Sequence, residues 1–281
     1  MPTFDTPEPV SAVVELVVGD VRITASDRDD TAVDIRPSDE SHEPDVRAAE
    51  QTRVEYSAGR LLVKTPRQRS LSLFGKPGSI DVTIGLPAGS QVYGDASVAA
   101  FHCSGRLGEC RLKTAAGDIQ VEHTGPLEVN TGAGAIVADR VTGPAEVSTG
   151  SGRVRLREID GTAVIKNSNG DSWVGEVGGD LRVKAANGSI SVDHAGSDVD
   201  ATTANGDVRI GGLTRGSASL KTSLGEIEVG VQAGTAARLD VHTQFGRIHN
   251  QLDASDGPGP SEQTVDVSAR TSYGDIVIRR S

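Results

Sequence analysis

The chain has 281 residues, 28 of them Lys or Arg and 39 Asp or Glu, for a net charge of −11. That balance excludes free nucleic acid as a natural partner, because affinity there rests on cations that neutralise phosphates, and it argues equally against an anionic membrane surface. Aromatic residues are 3 % and Gly is 34 of 281, about 12 % against a usual ~7 %, which excludes a helical bundle and suits a turn-rich β architecture cored by Val, Ile, Leu, Ala and Thr.

The first ten residues, MPTFDTPEPV, have neither the basic nor the apolar region of a secretory signal. No run approaches the ~18 apolar residues of a membrane helix, so no membrane insertion is expected. Two Cys cannot frame the fold with disulfides. The expected compartment is the cytoplasm.

Residues 10–36 alternate as strands do, in VVELVVGDVRITA and then TAVDIR. Gly19-Asp20-Val21-Arg22-Ile23 echoes text that recurs later in the chain. Residues 37–53 are polar and predict a loop with a short helical piece. Val54–Tyr56 and Leu61–Lys64 predict a hairpin around Ala58-Gly59. Residues 65–78, with Arg67, Arg69 and Lys76, read as a mobile loop. Ile80–Ile84 and LPAGSQV lead onward. Residues 1–84 are therefore expected to be an irregular β cap leading into one continuous repeat domain over 85–281.

That repeat is the strongest signal in the chain. Glycine recurs at Gly117, Gly134, Gly152, Gly170, Gly188, Gly206, Gly225, Gly246 and Gly274, at intervals of 17, 18, 18, 18, 18, 19, 21 and 28 residues. With glycine as position zero, apolar residues hold +2 and +4 (Ile190 and Val192, for example) and −7 and −5 (Leu181 and Val183). Position −3 is mostly Thr, and a further apolar residue often falls at +7, as in Val141, Ile159, Val177 and Leu213. Two period-two strands and an apolar corner every 18 residues describe one coil of a parallel β-solenoid. One coil cannot bury its own apolar face, but stacked coils bury a continuous one, with like residues about 4.8 Å apart in ladders. The apolar offsets do not follow the six-residue cadence of hexapeptide-repeat enzymes. Position +1 includes Arg153 and Arg247, which excludes a calcium ladder. Residues 253–263 read as an insertion in the last coil, and the chain ends at Arg279-Arg280-Ser281 without an evident cap, leaving a coil end open for stacking.

VELVVGDVRITASDRDDTAVDIRPSD, IDVTIGLPAGSQV and the serial SxxGDIxV turns resemble a bacterial β-strand-repeat family of unknown function, common in actinobacteria and labelled "putative adhesin". The resemblance covers nearly the whole chain. It implies a right-handed solenoid and adhesin-type binding at a cell surface, and it supplies no catalytic residues.

Trp173, the only tryptophan, sits at +3 and is expected to point outward beside Arg155 and Arg209, with Val137 on the same column. An exposed Trp beside arginines resembles a binding hot spot or a sugar-stacking platform. The plainer reading is that Trp173 lies along the Arg155 stem. Position −4 carries Lys113, Lys166, Lys184, Lys221, His242 and Arg270, while −6 mixes both signs. This is either a strip for an acidic partner or a solvated face that opposes aggregation. Arg153 with Asp171, and Glu226 with Arg247, are expected as charge pairs between coils. Cys103 and Cys110 are read as core thiols; a disulfide between them is sterically open, but the expected compartment argues against it. The six His residues lack a nucleophile or metal partner at a recognisable spacing, and Glu122, Asp139, Arg157 and Asp193 share the +5 column without a dense acidic cluster. No catalytic, cofactor-binding or metal set is assigned. The expected function is a non-enzymatic scaffold or binding module that presents ladder faces or an open coil end to a protein partner or a second copy. A glycan-binding or glycan-processing protein using the Trp173 face, and a surface adhesin, are the alternatives.

Overall fold

The computed structural model describes residues 2–66, 77–253 and 263–281. The expected mobile loop at 65–78 and the insertion at 253–263 fall mostly outside these. Two compact units emerge, Met1–Ala138 and Asp139–Ser281, each a parallel β-solenoid. The division lies inside the repeat.

The first unit contains β1 (Thr3–Asp5), β2 (Ser11–Ser26), β3 (Asp30–Pro37), α1 (Glu43–Gln51), β4 (Arg53–Ser57), β5 (Arg60–Lys64) and β6 (Ser79–Pro87). It continues through β7 (Gln91–Arg106), β8 (Cys110–Ala116), β9 (Ile119–Thr124), β10 (Leu127–Ala133) and the start of β11 (Ile136–Val141). The helical piece and the β4–β5 hairpin are where the sequence placed them. Residues 11–26, however, form a full rung rather than part of a cap. Gly19 pairs with Ala99, Val21 with Phe101 and Ile23 with Cys103. Phe101 and Cys103 in turn pair with Ile119 and Val121. The Gly-Asp-Val-Arg-Ile echo is thus the first copy of the repeat, and the capping elements are inserted after it.

The cap works by ending the parallel order. β5 and β6 extend the two halves of β2 in parallel, then β4 and β3 lie antiparallel outside them, and β1 lies antiparallel to β3. Helix α1 is fixed by Asp45, which accepts hydrogen bonds from the Ser79 amide at 2.9 Å and from His42 Nδ1 at 2.8 Å. Inside, Gly94 leaves room for Phe101, whose ring would lie 2.6 Å from a Cβ there. Cys103 and Cys110 are free and buried. Their mutual hydrogen bond, and then burial, raise the Cys110 thiol well above its ordinary pKa, which keeps it protonated.

The second unit contains β12 (Ala145–Ser151), β13 (Val154–Ile159), β14 (Ala163–Asn169), β15 (Ser172–Val177), β16 (Leu181–Asn187), β17 (Ile190–Ala195), β18 (Val199–Thr202) and β19 (Val208–Leu213). It ends with β20 (Gly216–Leu224), β21 (Ile227–Val231), β22 (Thr235–Phe245), β23 (Ile248–Asn250), β24 (Gln263–Tyr273) and β25 (Ile276–Arg280). The predicted columns hold in register: Ile165 pairs with Val183 and Val183 with Ala201, all three fully buried. The corner residues Ile159, Val177 and Leu213 are buried as well.

The −3 threonines have a specific task. Thr203, Thr222 and Thr271 each donate the side-chain hydroxyl to the carbonyl of the glycine one rung back, at 3.0, 2.8 and 3.0 Å. A half-buried carbonyl that the ladder leaves short of partners is thereby satisfied. Where Asn167 replaces Thr, its amide bonds the Gly152 and Gly170 carbonyls at 3.0 and 2.8 Å. The same amide reaches Ser172, which explains a Ser in the otherwise apolar +2 column.

The rungs do not stack in sequence order at the C-terminal end. β24 pairs with β20 on one side and β22 on the other, and β25 lies between β21 and β23. Residues 263–280 are therefore an interior rung, and residues 235–250 form the outermost one. The expectation of an open end at Arg279–Arg280 is corrected accordingly. Arg279 binds Glu228 at 2.7 Å, and Arg280 donates to the Gln232 and Thr235 carbonyls at 3.1 and 2.8 Å. Asn250 supplies the physical reason. It occupies the inward +4 position, where an interior rung would bury its amide without a partner. On the outermost rung it is exposed.

Candidate functional site

Arg155, Trp173, Ser191 and Arg209 lie in register along one column, as the repeat predicts. They do not form a groove. Trp173 is half-buried rather than exposed, with the Arg155 guanidinium carbon 4.7 Å from its ring centroid. Its Nε1 donates to Asp193 Oδ1 at 3.1 Å. The ring lies over Gly175, where a Cβ would come within 3.1 Å of it. Face, edge and indole N–H are all engaged, so Trp173 clasps three consecutive rungs. Arg209 turns instead to Glu228, and Val137 lies in the other unit. Asp193 and Gly175 were not read as partners of Trp173. The signal was present in the sequence, since both occupy +5, two positions along the same outward face. Trp173→Ala should lower the stability of this unit by about 1–2 kcal/mol, from lost ring packing and the cation–π contact, in denaturant titration followed by circular dichroism. Unchanged stability would mean that the clasp is not structural.

Part of the charged columns serves the ladder. Lys166 pairs with Glu146 at 3.6 Å, Arg182 with Asp200 at 3.5 Å and Arg270 with Asp240 at 3.1 Å. The expected +1 ion pairs are not formed. Asp171 Oδ1 instead accepts the Ser189 amide at 3.0 Å, and Asp275 Oδ1 accepts the Arg247 amide at 2.8 Å. Asp118 and Asp207 repeat the pattern on the Ala135 and Glu226 amides, both at 2.8 Å. The carboxylates are thus backbone clips from one rung to the next, which accounts for Gly-Asp recurring in the sequence. The +5 carboxylates are likewise dispersed, Glu122 onto the Gly105 amide at 2.8 Å and Asp193 onto Trp173.

Glu228 ties three rungs together through Arg209 and Arg279. Burial pushes its carboxyl up, but the hydrogen bonds from Arg279 and Arg209 outweigh burial and hold it below the ordinary value. A lowered folded pKa means stabilisation that is complete above the ordinary carboxylate range and lost as pH falls through the folded value. Glu228→Gln should therefore reduce stability at neutral pH and flatten its acid dependence, measured by thermal melts from pH 7 to pH 3. A wild-type-like acid profile would show that the clamp carries no linkage.

A depression of about 490 Å³ lies on the first unit and is lined by Val14, Tyr93, Gly94, Asp95, Arg111 and Lys113. Two of its polar groups are paired: Tyr93 donates to Gln91 at 3.1 Å, and Arg111 binds Glu109 at 2.6 Å. Among the described residues no group of three His, Cys, Asp or Glu is arranged to hold a metal ion, and no helix is long and apolar enough to cross a membrane.

Among the described residues the least satisfied surface is the outermost rung. Among the described residues β22 pairs with β24 alone, and its inward residues Leu239 and Val241 are only half-buried where the corresponding residues of interior rungs are covered. Leu224, Tyr273, Phe245 and Ile248 are 50, 54, 63 and 45 % exposed, and all belong to the last three rungs. Phe245 and Tyr273 stack with centroids 4.8 Å apart. The stacked aromatic pair and Leu224 continue the −1 column that Asn169 and Asn187 occupy earlier, where the Asn187 amide donates to Asn169 at 2.9 Å. An open strand edge beside an apolar ladder is a template for another chain.

Comparison with solved structures gives matches over almost the full length. A "putative adhesin" from Parabacteroides merdae is 12 % identical, with a TM-score of 0.41 over 98 % of this chain and 94 % of that one. A "putative adhesin" from Bacteroides fragilis is 10 % identical, with a TM-score of 0.34 over 99 % and 95 %. A "putative cell adhesion protein" from Clostridium sporogenes is 11 % identical, with a TM-score of 0.22 over 100 % and 98 %. No curated protein matches the chain. One family model spans residues 13–279, from the β2 rung to the penultimate residue of β25, and the chain belongs to that family, Toastrack DUF4097.

Proposed function

We propose that the protein is a non-enzymatic β-solenoid scaffold that binds a macromolecular partner through its open coil end. The observation that carries this reading is the contrast between two rung ends. The cap of the first unit is finished by antiparallel strands and a helix, whereas among the described residues β22 and β23 leave a bare parallel edge with Phe245 and Ile248 exposed beside it. A chain that caps one edge thoroughly and leaves another open retains a pairing surface. The lateral faces support the reading by contrast, because Trp173 and most charged residues there are spent on neighbouring rungs. Adhesin-type binding is consistent with it. A cytoplasmic placement is part of the same proposal and is tested by cell fractionation.

The experiment is site-specific photo-crosslinking in cells. A benzophenone side chain at Gln244, exposed on the outermost rung, is compared with one at Lys184 on a lateral face. The expected result is a discrete protein adduct from position 244 and none from 184. Adducts only from 184, or from neither position, would overturn the reading.

A further inference from the structure

We infer that the open edge pairs with a second copy of this chain, β22 against β22 in antiparallel register centred on Leu239, to give a closed two-fold dimer. The inference rests on the open-end reading above and names its partner.

The register follows from the strand itself. Along β22 Leu239, Val241 and Thr243 lie on the inward column and Arg238, Asp240 and His242 face solvent, the same alternation as in the other rungs. A two-fold axis normal to the sheet at Leu239 keeps inward residues with inward residues. Leu239 then faces its own copy, Val241 faces Ala237, and Thr243 faces Thr235. On the outer face Arg238 lies opposite Asp240 of the second copy, and Asp240 opposite its Arg238, so two opposite-charge pairs form at once. Arg238 is exposed and has no ion pair among the described residues, although it sits beside a depression of about 350 Å³ that Asp240 and Asp266 also line. Asp240 is exposed as well, so its bond to Arg270 leaves room for a second cation. Moving the centre by one residue, to Asp240, would set Asp240 against itself and Arg238 against His242. Charge therefore selects the register. The exposed Leu239 and Val241 edges become covered, and the half-buried inward columns continue into the second copy.

The geometry also sets the stoichiometry. Isologous pairing uses the open edge of both copies, so assembly stops at two, whereas head-to-tail stacking would propagate.

The test is sedimentation velocity of the full chain over a concentration series, with charge variants. Wild type is expected to pass from monomer to dimer and no further. Arg238→Asp and Asp240→Arg each place like charges opposite one another twice, and each should weaken the dimer by about tenfold or more. Both residues are exposed, and circular dichroism checks that each variant stays folded. An equimolar mixture of the two variants restores both opposite-charge pairs and should recover the wild-type dimer. Single variants that dimerise like wild type, a mixture that does not recover, filaments, or a wild-type monomer at all concentrations would each overturn the inference. A monomer that still gives an adduct with a different protein from position 244 would overturn self-pairing alone and leave the open-end reading standing.

Discussion

Val183→Asp is expected to unfold the second unit. Val183 is 0 % exposed and stands in the inward column between Ile165 and Ala201. An aspartate there has no cation or amide within the column to receive it. It must be buried charged or take up a proton, and either course costs several kcal/mol, comparable with the ~5–15 kcal/mol that holds a typical domain together. In a stacked repeat each rung is stabilised mainly by its two neighbours, so a broken central rung also deprives the 163–169 and 199–202 strands of a partner. The lone Trp173 reports from the adjacent rung. Its fluorescence should shift to that of a solvated indole, and hydrogen exchange over 145–280 should lose protection. Val183→Ala removes two methyl groups without adding charge, costs about 1–3 kcal/mol and should remain folded. A Val183→Asp protein that melts like wild type would mean that this side chain does not face the interior.

Gly188→Ala should be nearly as damaging, through the backbone. Gly188 holds φ at +143°, and seven other corner glycines lie between +133° and +154°. Side-chain-bearing residues adopt that region at a cost of about 1–3 kcal/mol. A Cβ would also stand 2.1 Å from the carbonyl oxygen of Gly170 one rung away, and that oxygen belongs to backbone that cannot rotate aside. Strain and clash together predict a loss of about 4 kcal/mol or more in denaturant titration. Gly234 separates the two causes, because it has φ +81° and nothing within 4 Å of its would-be Cβ. Gly234→Ala should cost only about 1–2 kcal/mol. Equal losses at the two positions would mean that the close approach between rungs contributes nothing.

The corner glycine illustrates how much of this fold is legible in one dimension. A position that must approach its own copy one rung away admits only Gly, and the demand recurs wherever a rung is added, so the period is written into the chain. The alternation at −7, −5, +2 and +4 is legible for the same reason, since each rung solves the same burial problem as the last. Trp173 was less legible. Its column and its Arg155 neighbour followed from the register, but its engagement by Asp193 and Gly175 depended on a diagonal contact that a column-by-column reading passes over. The Gly-Asp recurrence was visible at +1, yet its role as a clip on the next amide was mistaken for ion pairing, because charge is easier to read from a sequence than the direction of a backbone N–H.

The solenoid, its rung length and its inward columns are legible in the chain alone, because they depend on a local pattern repeated in register, whereas Gly19-Ile23 is there only an echo that the pairing with Ala99–Cys103 turns into a rung. The order of the last rungs, and hence which edge is left open, is not written in that pattern and is settled by the packing of one rung on another. Chain order and stacking order coincide only while each rung is laid on the one before it. Here the outward-leaning residues 235–250, with Asn250 where an aliphatic side chain is needed, suit the end of the stack. Residues 263–280, with Val265, Val267, Ala269, Ile276 and Ile278 all buried, suit the interior. Burial, which compares rungs with one another, overrode the sequence in which they are made.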